Sequence, residues 1–384
     1  MNVAVKISLA ARHQSSGNSV RCAAGELDFA QYVARSKLAL GRVHAGKVGL
    51  EKIVAGNAPF ELHPAGNFQT GRDKPYRRGV LLTHGLSDSP YHLRHLAAFF
   101  RQNGFRVMAV LLPGHGTQPG DLLDVHWREW VETVACGVEC LAAEVDELYL
   151  AGLSTGAALS VYHAARDGRV RALFLFSPAF EITSRARWAH LHRLYSWLCP
   201  VAAWVDVMPD RDLYKYESFC KNAAAQVYAL LKSLPQSAVA IPVFAAASAD
   251  DATVHAAATL RFMRRAVHSC SRLLWYARDK IEQPKVTWVD SVLPQQRILG
   301  SAHTAIVMSP DDPHYGAAGG YANCLHYYPH DMDSYAACVA RRQDAWLGEV
   351  NEQNLRRGLL QRLTYNPHYA AMEAAMQHFI GELP

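Results

Sequence analysis

No window of 18 apolar residues occurs in the 384-residue chain, so the sequence predicts no membrane-spanning helix. The apolar stretch at residues 3–10 is short and interrupted by Lys6, so we expect no signal-peptide core there. Charged residues make up only 19% of the chain, and 39 basic against 34 acidic residues give a net charge of +5. No basic run is longer than two residues, which argues against nucleic acid as a partner.

Cysteine motifs are also missing. The eight cysteines are scattered and form no Cys-x-x-Cys pair, in a chain too large to need covalent cross-links. This pattern predicts reduced thiols and a cytoplasmic location. No His-Glu-x-x-His or paired-cysteine spacing suggests a metal site, and we expect neither a metal nor a cofactor.

Apolar residues, by contrast, make up half of the chain, enough for a large buried core. From about residue 58, short apolar runs alternate with helical patterns, which predicts an α/β fold with a mainly parallel sheet. We divide the chain into a partly helical N-terminal extension (1–57), a first core part (58–176), a helical cap insertion (177–236) and a second core part (237–384). Runs at 286–292 and 296–299 predict an added hairpin within the second core part.

The most informative motif is Gly152-Leu153-Ser154-Thr155-Gly156. An apolar strand pattern precedes it and an alanine-rich helix pattern follows, the context required for a serine on a tight strand-to-helix turn. Such a turn lifts the hydroxyl above the sheet, and the flanking glycines avoid clashes. Ser154 is therefore a candidate nucleophile, although a small-residue turn is the plainer alternative.

A serine nucleophile needs a base and an orienting carboxylate, which in this arrangement follow it in the order acid, then histidine. Asp250 and Asp251 directly follow the predicted strand 241–247, and we favour Asp251 because it precedes the apolar Val254 by three residues. Asp250 stays open as the alternative acid, its plainer role being to cap the next helix.

Among the 19 histidines, His303 is the preferred base because it stands in a polar turn after the last predicted strand, between small residues. His255, His268, His314 and His326 lie before or after helices or in a late loop, where surface roles are more common.

The oxyanion formed during attack needs two backbone N–H donors. By position these are Thr155, directly after the serine, and Leu86, in the loop that follows the first core strand. His84, which precedes the turn at Gly85, is expected to tie this loop rather than to react.

The cap insertion carries a stripe of large apolar residues spaced three and four apart, a pattern typical of a helix that buries one face. Placed above the site, this stripe predicts either plain core or the lining of an apolar acyl pocket. The stripe comprises Trp188, Leu191, Leu194, Tyr195, Leu198, Val201 and Val205.

The segments 82–90, 112–117 and 152–156, with Asp251 and His303, together resemble the alpha/beta-hydrolase superfamily, most of all its bacterial carboxylesterase and monoacylglycerol-lipase-like branch. The resemblance covers roughly residues 79–310. It implies Ser154 as nucleophile, Asp251 and His303 as its partners, and the Leu86 and Thr155 amides as the oxyanion hole. The lengthened stretch between Asp251 and His303 and the N-terminal extension depart from the pattern.

The sequence therefore predicts a serine hydrolase acting on small-molecule carboxylic esters with an aliphatic acyl group, without a cofactor. The same triad could serve an acyltransferase or a peptidase, and a non-catalytic binding protein of this fold is a rival from another class. A second rival, nucleotide chemistry at Gly41–Val48, lacks the Ser or Thr that would hold magnesium and has no strand before it. The oligomeric state and the natural substrate are left open.

Overall fold

The computed structural model describes residues 9–22, 28–66, 72–341 and 343–384. Its strands are β1 (Phe60–Leu62), β2 (Tyr76–Thr83), β3 (Phe105–Val110), β4 (Val145–Leu153), β5 (Val170–Phe176), β6 (Trp204–Asp206), β7 (Phe219–Cys220), β8 (Val243–Ser248), β9 (Arg272–Ala277), β10 (Val286–Asp290), β11 (Trp346–Gly348) and β12 (Leu360–Arg362). Its α-helices are α1 (Phe29–Val43), α2 (Leu50–Asn57), α3 (Arg94–Gln102), α4 (Trp127–Glu144), α5 (Thr155–Ala164), α6 (Lys221–Lys232), α7 (Ala256–Arg265), α8 (Met332–Val339), α9 (Glu352–Leu355) and α10 (Tyr369–Gly381).

The apolar runs of the sequence form one central sheet of eight strands in the order β1-β3-β2-β4-β5-β8-β9-β10. Within this sheet, as far as the structure describes it, only β1 pairs antiparallel, with β3. Helices cover both faces, because these strands are apolar on both sides and a parallel sheet must bury both. Trp130 and Phe262 belong to the core on one face, and Phe100 and Phe379 to the core on the other. The predicted α/β class with a mainly parallel sheet is confirmed.

The predicted hairpin at 286–299 is wrong. β10 pairs parallel with β9, so the chain returns through residues 278–285 and adds a further strand to the main sheet. The second run does not pair with β10; Ile298 instead bridges Leu293 and Leu347. Alternating apolar residues indicate a strand but carry no information about the direction of its partner, which explains the error.

The N-terminal extension contains two helices, α1 and α2, in place of the single helical stretch that the apolar pattern suggested. Gly46 and Gly49, both with positive φ, form the turn between them. Tyr32 of α1 is fully buried, and its hydroxyl donates to the Leu111 carbonyl oxygen at 2.8 Å. The extension is thereby fixed to the core just beyond β3.

The segment 177–236 is less helical than its sequence suggested. Its only α-helix in the described part of the chain is α6, which packs against α4 and α5. The rest of its regular secondary structure is a long 3₁₀ helix at Ser184–Leu194, a short one at Pro200–Ala203 and the strand pair β6–β7.

The apolar stripe of this segment is neither core nor pocket lining. Trp188 is 56% exposed, Leu194 74% and Leu198 70%. A 3₁₀ helix has three residues per turn, so residues spaced for an α-helix do not gather on one face. The expectation that this stripe forms an acyl pocket is therefore wrong.

The expectation of reduced thiols is wrong for four of the eight cysteines. Cys22 is bonded to Cys136, and Cys324 to Cys338, with Cα atoms 5.8 and 6.0 Å apart. The first disulfide joins the N-terminal extension to α4, and the second closes a loop that ends in α8. Pairing partners 114 residues apart become visible only once the fold brings them together.

No helix of the described residues is long and apolar enough to cross a bilayer. Residues 1–8, which hold most of the stretch considered as a signal peptide, lie outside the described ranges.

Candidate active site

Ser154 occupies the turn between β4 and α5. Its backbone has φ 55° and ψ −114°, a region that non-glycine residues rarely adopt, while its N–H donates to the Phe176 carbonyl oxygen at 2.9 Å. A strained turn of this kind persists only where the surrounding structure enforces it. Here the turn presents the serine side chain at the carboxyl end of the parallel sheet, as the sequence motif predicted.

The two glycines of the motif are required by close backbone contacts. A Cβ atom on Gly152 would lie 2.3 Å from the backbone of Gly156, and one on Gly156 would lie 2.0 Å from the Thr83 carbonyl oxygen. Both distances are far inside van der Waals contact. The start of α5 can therefore approach β4 and β2 only because neither position carries a side chain.

The side chains of Ser154, His303 and Asp251 form a hydrogen-bonded chain. The Nε2 atom of His303 lies 2.8 Å from the Ser154 Oγ atom, and its Nδ1 atom lies 2.6 Å from Oδ2 of Asp251. Because the carboxylate accepts the Nδ1 hydrogen, Nε2 is left to accept the serine hydroxyl hydrogen. The backbone oxygen of His303 accepts a hydrogen bond from the Ser177 hydroxyl at 2.6 Å, which holds the loop that carries His303.

The local environment keeps Asp251 ionised. Burial raises the pKa of its carboxyl, but His303 and the N–H groups of Thr253 and Val254 outweigh burial and hold the pKa below its usual value. Those two N–H groups donate to Oδ1 at 2.8 and 3.1 Å. Val254 is buried, so the loop is fixed as the Asp-x-x-Val spacing suggested.

Asp250 faces away from His303. Its Oδ2 atom accepts hydrogen bonds from the Ser291 hydroxyl at 2.9 Å and from the Ser301 N–H at 3.2 Å. Burial raises the pKa of this carboxyl. Asp250 thus holds the loop that carries His303, a role different from the helix cap considered for it.

The other candidate histidines lie away from this chain of contacts. His314 bonds Asp212 at 3.0 Å, His255 precedes α7 on the surface, and His268 accepts the Cys270 N–H at 3.2 Å. His326 lines the cavity described below without contacting Ser154 or Asp251. Of the histidines in the described residues, only His303 contacts both Ser154 and Asp251.

Leu86 and Thr155 line the same cavity as Ser154 and His303. Within the described ranges, neither backbone N–H donates to a backbone carbonyl outside the helices and strands. The two residues lie in different elements. Thr155 begins α5, whereas Leu86 follows His84 and Gly85 in the turn after β2.

His84 is a structural residue. Its Nδ1 atom bonds the Gly85 carbonyl oxygen at 2.8 Å, and its Nε2 atom accepts the Leu112 N–H at 3.0 Å. Complete burial lowers the pKa of His84 to about 3, so the ring is neutral. It joins the Leu86 loop to the end of β3, which is the tying role expected from the sequence.

Lys215, in the segment 177–236, contributes a contact that sequence patterns did not reveal. Its Nζ atom donates to the Ser87 hydroxyl at 2.9 Å and to the Leu86 carbonyl oxygen at 3.3 Å, and it forms an ion pair with the buried Asp88. Burial raises the pKa of Asp88, but Lys215 outweighs burial and lowers it. The lysine holds the loop that carries the Leu86 amide. No local motif marks it, because its partners lie about 130 residues away.

These groups open into a cavity of about 450 Å³. Its wall combines apolar side chains with polar and charged ones. The apolar residues include Ile182, Ala186, Phe219, Val227 and Leu325, and the polar or charged residues Lys215, Glu217, Tyr321, Asn323, His326 and Arg362. Among the residues that the structure describes, no cluster of three or more His, Cys, Asp or Glu could hold a metal ion.

The sequence also matches known proteins. The sequence profile described as "Serine aminopeptidase, S33" matches residues 74–279, more than half of the chain. This range contains Ser154 and Asp251, and His303 lies beyond it.

Two curated relatives match shorter stretches. A thermostable monoacylglycerol lipase of Bacillus sp. (strain H-257) is 31% identical over 108 residues, which are 28% of this chain and 43% of the relative. A carboxylesterase of Bacillus subtilis (strain 168) is 29% identical over 85 residues, 22% of this chain and 35% of the relative. The chain thus matches less than half the length of these relatives.

Similar solved structures include a metagenome-derived lipolytic enzyme, with TM-score 0.48 and 20% identity over 66% of this chain and 91% of the other. A monoacylglycerol lipase of Paleococcus ferrophilus gives TM-score 0.44 and 15% identity over 70% of this chain and 97% of the other. The parallel sheet, the serine on its strand-to-helix turn and the profile match over more than half of the chain agree. The chain belongs to the serine aminopeptidase S33 family of alpha/beta hydrolases.

Proposed function

We propose that the protein is a serine hydrolase that cleaves carboxylic esters through an acyl-enzyme. The observation that carries this proposal is the continuous hydrogen-bonded chain from Ser154 through His303 to Asp251. A hydroxyl next to a neutral imidazole that is oriented by a carboxylate is the arrangement that activates serine as a nucleophile. Asp250 is assigned to loop support and not to the triad.

In the first half of the reaction, the Ser154 oxygen attacks the ester carbonyl carbon while its proton moves to Nε2 of His303. Asp251 stabilises the imidazolium that forms. The tetrahedral oxyanion accepts hydrogen bonds from the Leu86 and Thr155 amides. When the intermediate collapses, the bond to the alcohol oxygen breaks and His303 returns the proton to the departing alcohol.

In the second half, a water molecule takes the place of the alcohol. His303 accepts a proton from this water as its oxygen attacks the acyl carbon, and the same two amides bind the oxyanion. The bond between the acyl carbon and the Ser154 oxygen then breaks, and the proton passes to the serine. The carboxylic acid leaves and the free enzyme is restored.

The cavity wall supports an aliphatic acyl group as the preferred substrate part. Its apolar residues include Ile182, Ala186 and Phe219 from the segment 177–236, which we therefore assign as a cap over the core parts 58–176 and 237–384. Curated relatives named as monoacylglycerol lipase and carboxylesterase agree with an ester of this kind. The polar residues of the cavity suit a hydroxylated alcohol, as in a monoacylglycerol.

Treatment with a fluorophosphonate probe should label the peptide that contains Ser154.

Turnover of p-nitrophenyl esters should rise from acetyl towards medium chain lengths, by about fourfold in kcat/KM per methylene, because each buried methylene contributes about 0.8 kcal/mol. Ala224→Phe, in the cavity wall, should abolish this rise for the longer chains, whereas Ala240→Phe, on the surface, should preserve it. Mass spectrometry and initial rates provide the measurements.

A folded wild-type protein that neither labels nor turns over any ester would contradict the proposal and favour the non-catalytic binding protein. Amino-acid p-nitroanilides belong in the same assay, because an amide preference would identify a peptidase using the same triad. Faster transfer of the acyl group to added glycerol than to water would identify an acyltransferase.

The two disulfides bear on where the protein acts. The cytoplasmic location was predicted from reduced thiols, whereas disulfides persist mainly in oxidising compartments. We expect four titratable thiols, those of Cys140, Cys199, Cys220 and Cys270, in protein purified under alkylating conditions and denatured without reductant. Eight thiols would contradict the pairing and restore the cytoplasmic prediction; addition of reductant before denaturation provides the eight-thiol control.

A further inference from the structure

The loop that carries His303 is supported by a buried ion pair. Glu349 is fully buried, and its Oε2 atom accepts the backbone N–H of His303 at 3.3 Å. Arg362 neutralises this carboxylate through two contacts, Nε to Oε1 at 2.7 Å and Nη2 to Oε2 at 2.9 Å. Burying a carboxylate is costly unless a partner supplies both an opposite charge and hydrogen bonds, and Arg362 supplies both.

The same arginine reaches the loop of the acid. Its Nη2 atom donates to the Thr253 hydroxyl at 2.8 Å, and the Thr253 N–H donates to Asp251 at 2.8 Å. Asp251 in turn bonds the His303 ring at 2.6 Å. The contacts therefore close a ring that runs from the His303 backbone through Glu349, Arg362, Thr253 and Asp251 back to the His303 side chain.

The two residues that close the ring, Glu349 and Arg362, lie outside the family match. Glu349 directly follows β11 and Arg362 ends β12, and these two strands pair parallel with Gly348 opposite Arg362. The parallel register brings the two side chains together at one end of this small sheet. Leu347 of β11 also exchanges backbone hydrogen bonds with the segment that leads to His303, at 2.8 and 2.9 Å.

The ring of contacts supports the segment of the chain that leads to His303. β10 is added after β9, so His303 is reached through the irregular segment 291–302 and not directly from the end of β9. An irregular segment does not fix an imidazole within the few tenths of an ångström that proton transfer requires. Asp250 holds this segment on one side, and Glu349 holds it on the other.

The geometry points to Glu349 and Arg362 as a positioning pair that sets the distance between His303 and Asp251. This inference rests on the proposed function, because it concerns the same triad. Neither residue is assigned to the chemical steps. Their effect is to keep the His303 ring in line with both Ser154 and Asp251 during the proton transfers.

The pair can be deleted without leaving an unpaired buried charge. The double variant Glu349→Leu/Arg362→Met replaces both groups by apolar side chains, a change that buried ion pairs often tolerate without loss of stability. We expect a Tm close to that of the wild type, a kcat lowered about 10- to 100-fold, and a KM that changes much less. The low-field proton resonance of the His303 Nδ1–H in the hydrogen bond to Asp251 should be lost or shifted.

A second variant covers the case in which the double variant does not fold. Thr253→Val removes the hydroxyl that accepts from Arg362, so it opens the ring and leaves the ion pair intact. The control Thr287→Val makes the same change at an exposed position of β10. We expect kcat about 3- to 10-fold lower for Thr253→Val than for Thr287→Val, with the resonance displaced only in the former.

A folded double variant that keeps kcat within twofold of the wild type and an unshifted resonance would overturn the inference. If the double variant does not fold, the same result for Thr253→Val against Thr287→Val would overturn it. Failure of the proposed function is distinguishable, because in that case the wild type itself shows neither probe labelling nor ester turnover.

Discussion

Replacing Ser154 with alanine is expected to lower kcat for a p-nitrophenyl ester by about 10⁶-fold, with the protein still folded. Removing the nucleophile of such a triad costs about as much as removing the whole triad, because its members act as a unit. The residual rate would come from the Leu86 and Thr155 amides and from substrate binding. Rates of the purified variant, together with loss of fluorophosphonate labelling, measure the effect.

The matched control for this experiment is Ser160→Ala, which removes a buried hydroxyl from α5, the helix that follows Ser154. The Ser160 hydroxyl donates to the Gly156 carbonyl oxygen at 2.9 Å and has no contact with His303. We expect activity close to that of the wild type, with a stability loss of about 1 kcal/mol. An Ser154→Ala variant that retains more than a hundredth of the wild-type rate would assign the reaction to a different nucleophile.

Replacing Asp251 with asparagine is expected to lower kcat by about 10⁴-fold. An amide in this position can donate to the imidazole Nδ1 atom, which favours the tautomer that has its hydrogen on Nε2 and cannot accept the Ser154 proton. The variant also lacks the negative charge that stabilises the imidazolium. Raising the pH should increase the activity of this variant by less than the increase in hydroxide concentration, since hydroxide cannot replace an oriented base.

The neighbouring Asp250→Asn provides the matched comparison. Its amide oxygen can still accept from Ser291 and Ser301, so the loop remains supported and kcat should fall less than tenfold. Parallel kcat and KM measurements on the two variants, with Tm as the folding check, distinguish the roles. A larger loss for Asp250→Asn than for Asp251→Asn would reverse the assignment of the acid.

The sequence alone was sufficient where neighbouring residues decide the outcome. The turn at Ser154 depends on Gly152 and Gly156, each two residues away, and on the apolar patterns of β4 and α5. The alternation of strands and helices likewise predicted the parallel sheet, since period and burial are local properties. Chain order then predicted the loops of the proposed acid and base.

Contacts between distant segments were decided only by the tertiary structure. Three features depend on residues that are far apart in the sequence, so local patterns do not predict them. They are the direction of β10, the disulfide between Cys22 and Cys136, and the contact of Lys215 with the Leu86 loop. The exposed stripe around Trp188 shows the same limit, because spacing does not distinguish an α-helix from a 3₁₀ helix.

The two aspartates show this division most directly. Their sequence surroundings are nearly identical, yet Asp251 bonds the His303 ring whereas Asp250 bonds Ser291 and Ser301. The two side chains leave a turn in different directions, so the partner of each depends on what the fold packs beside it. The sequence determined that a serine, an acid and a histidine follow in order on an α/β sheet. The packing of residues 286–362, all of which lie beyond the family match, decided which aspartate faces the histidine and what holds the histidine in place.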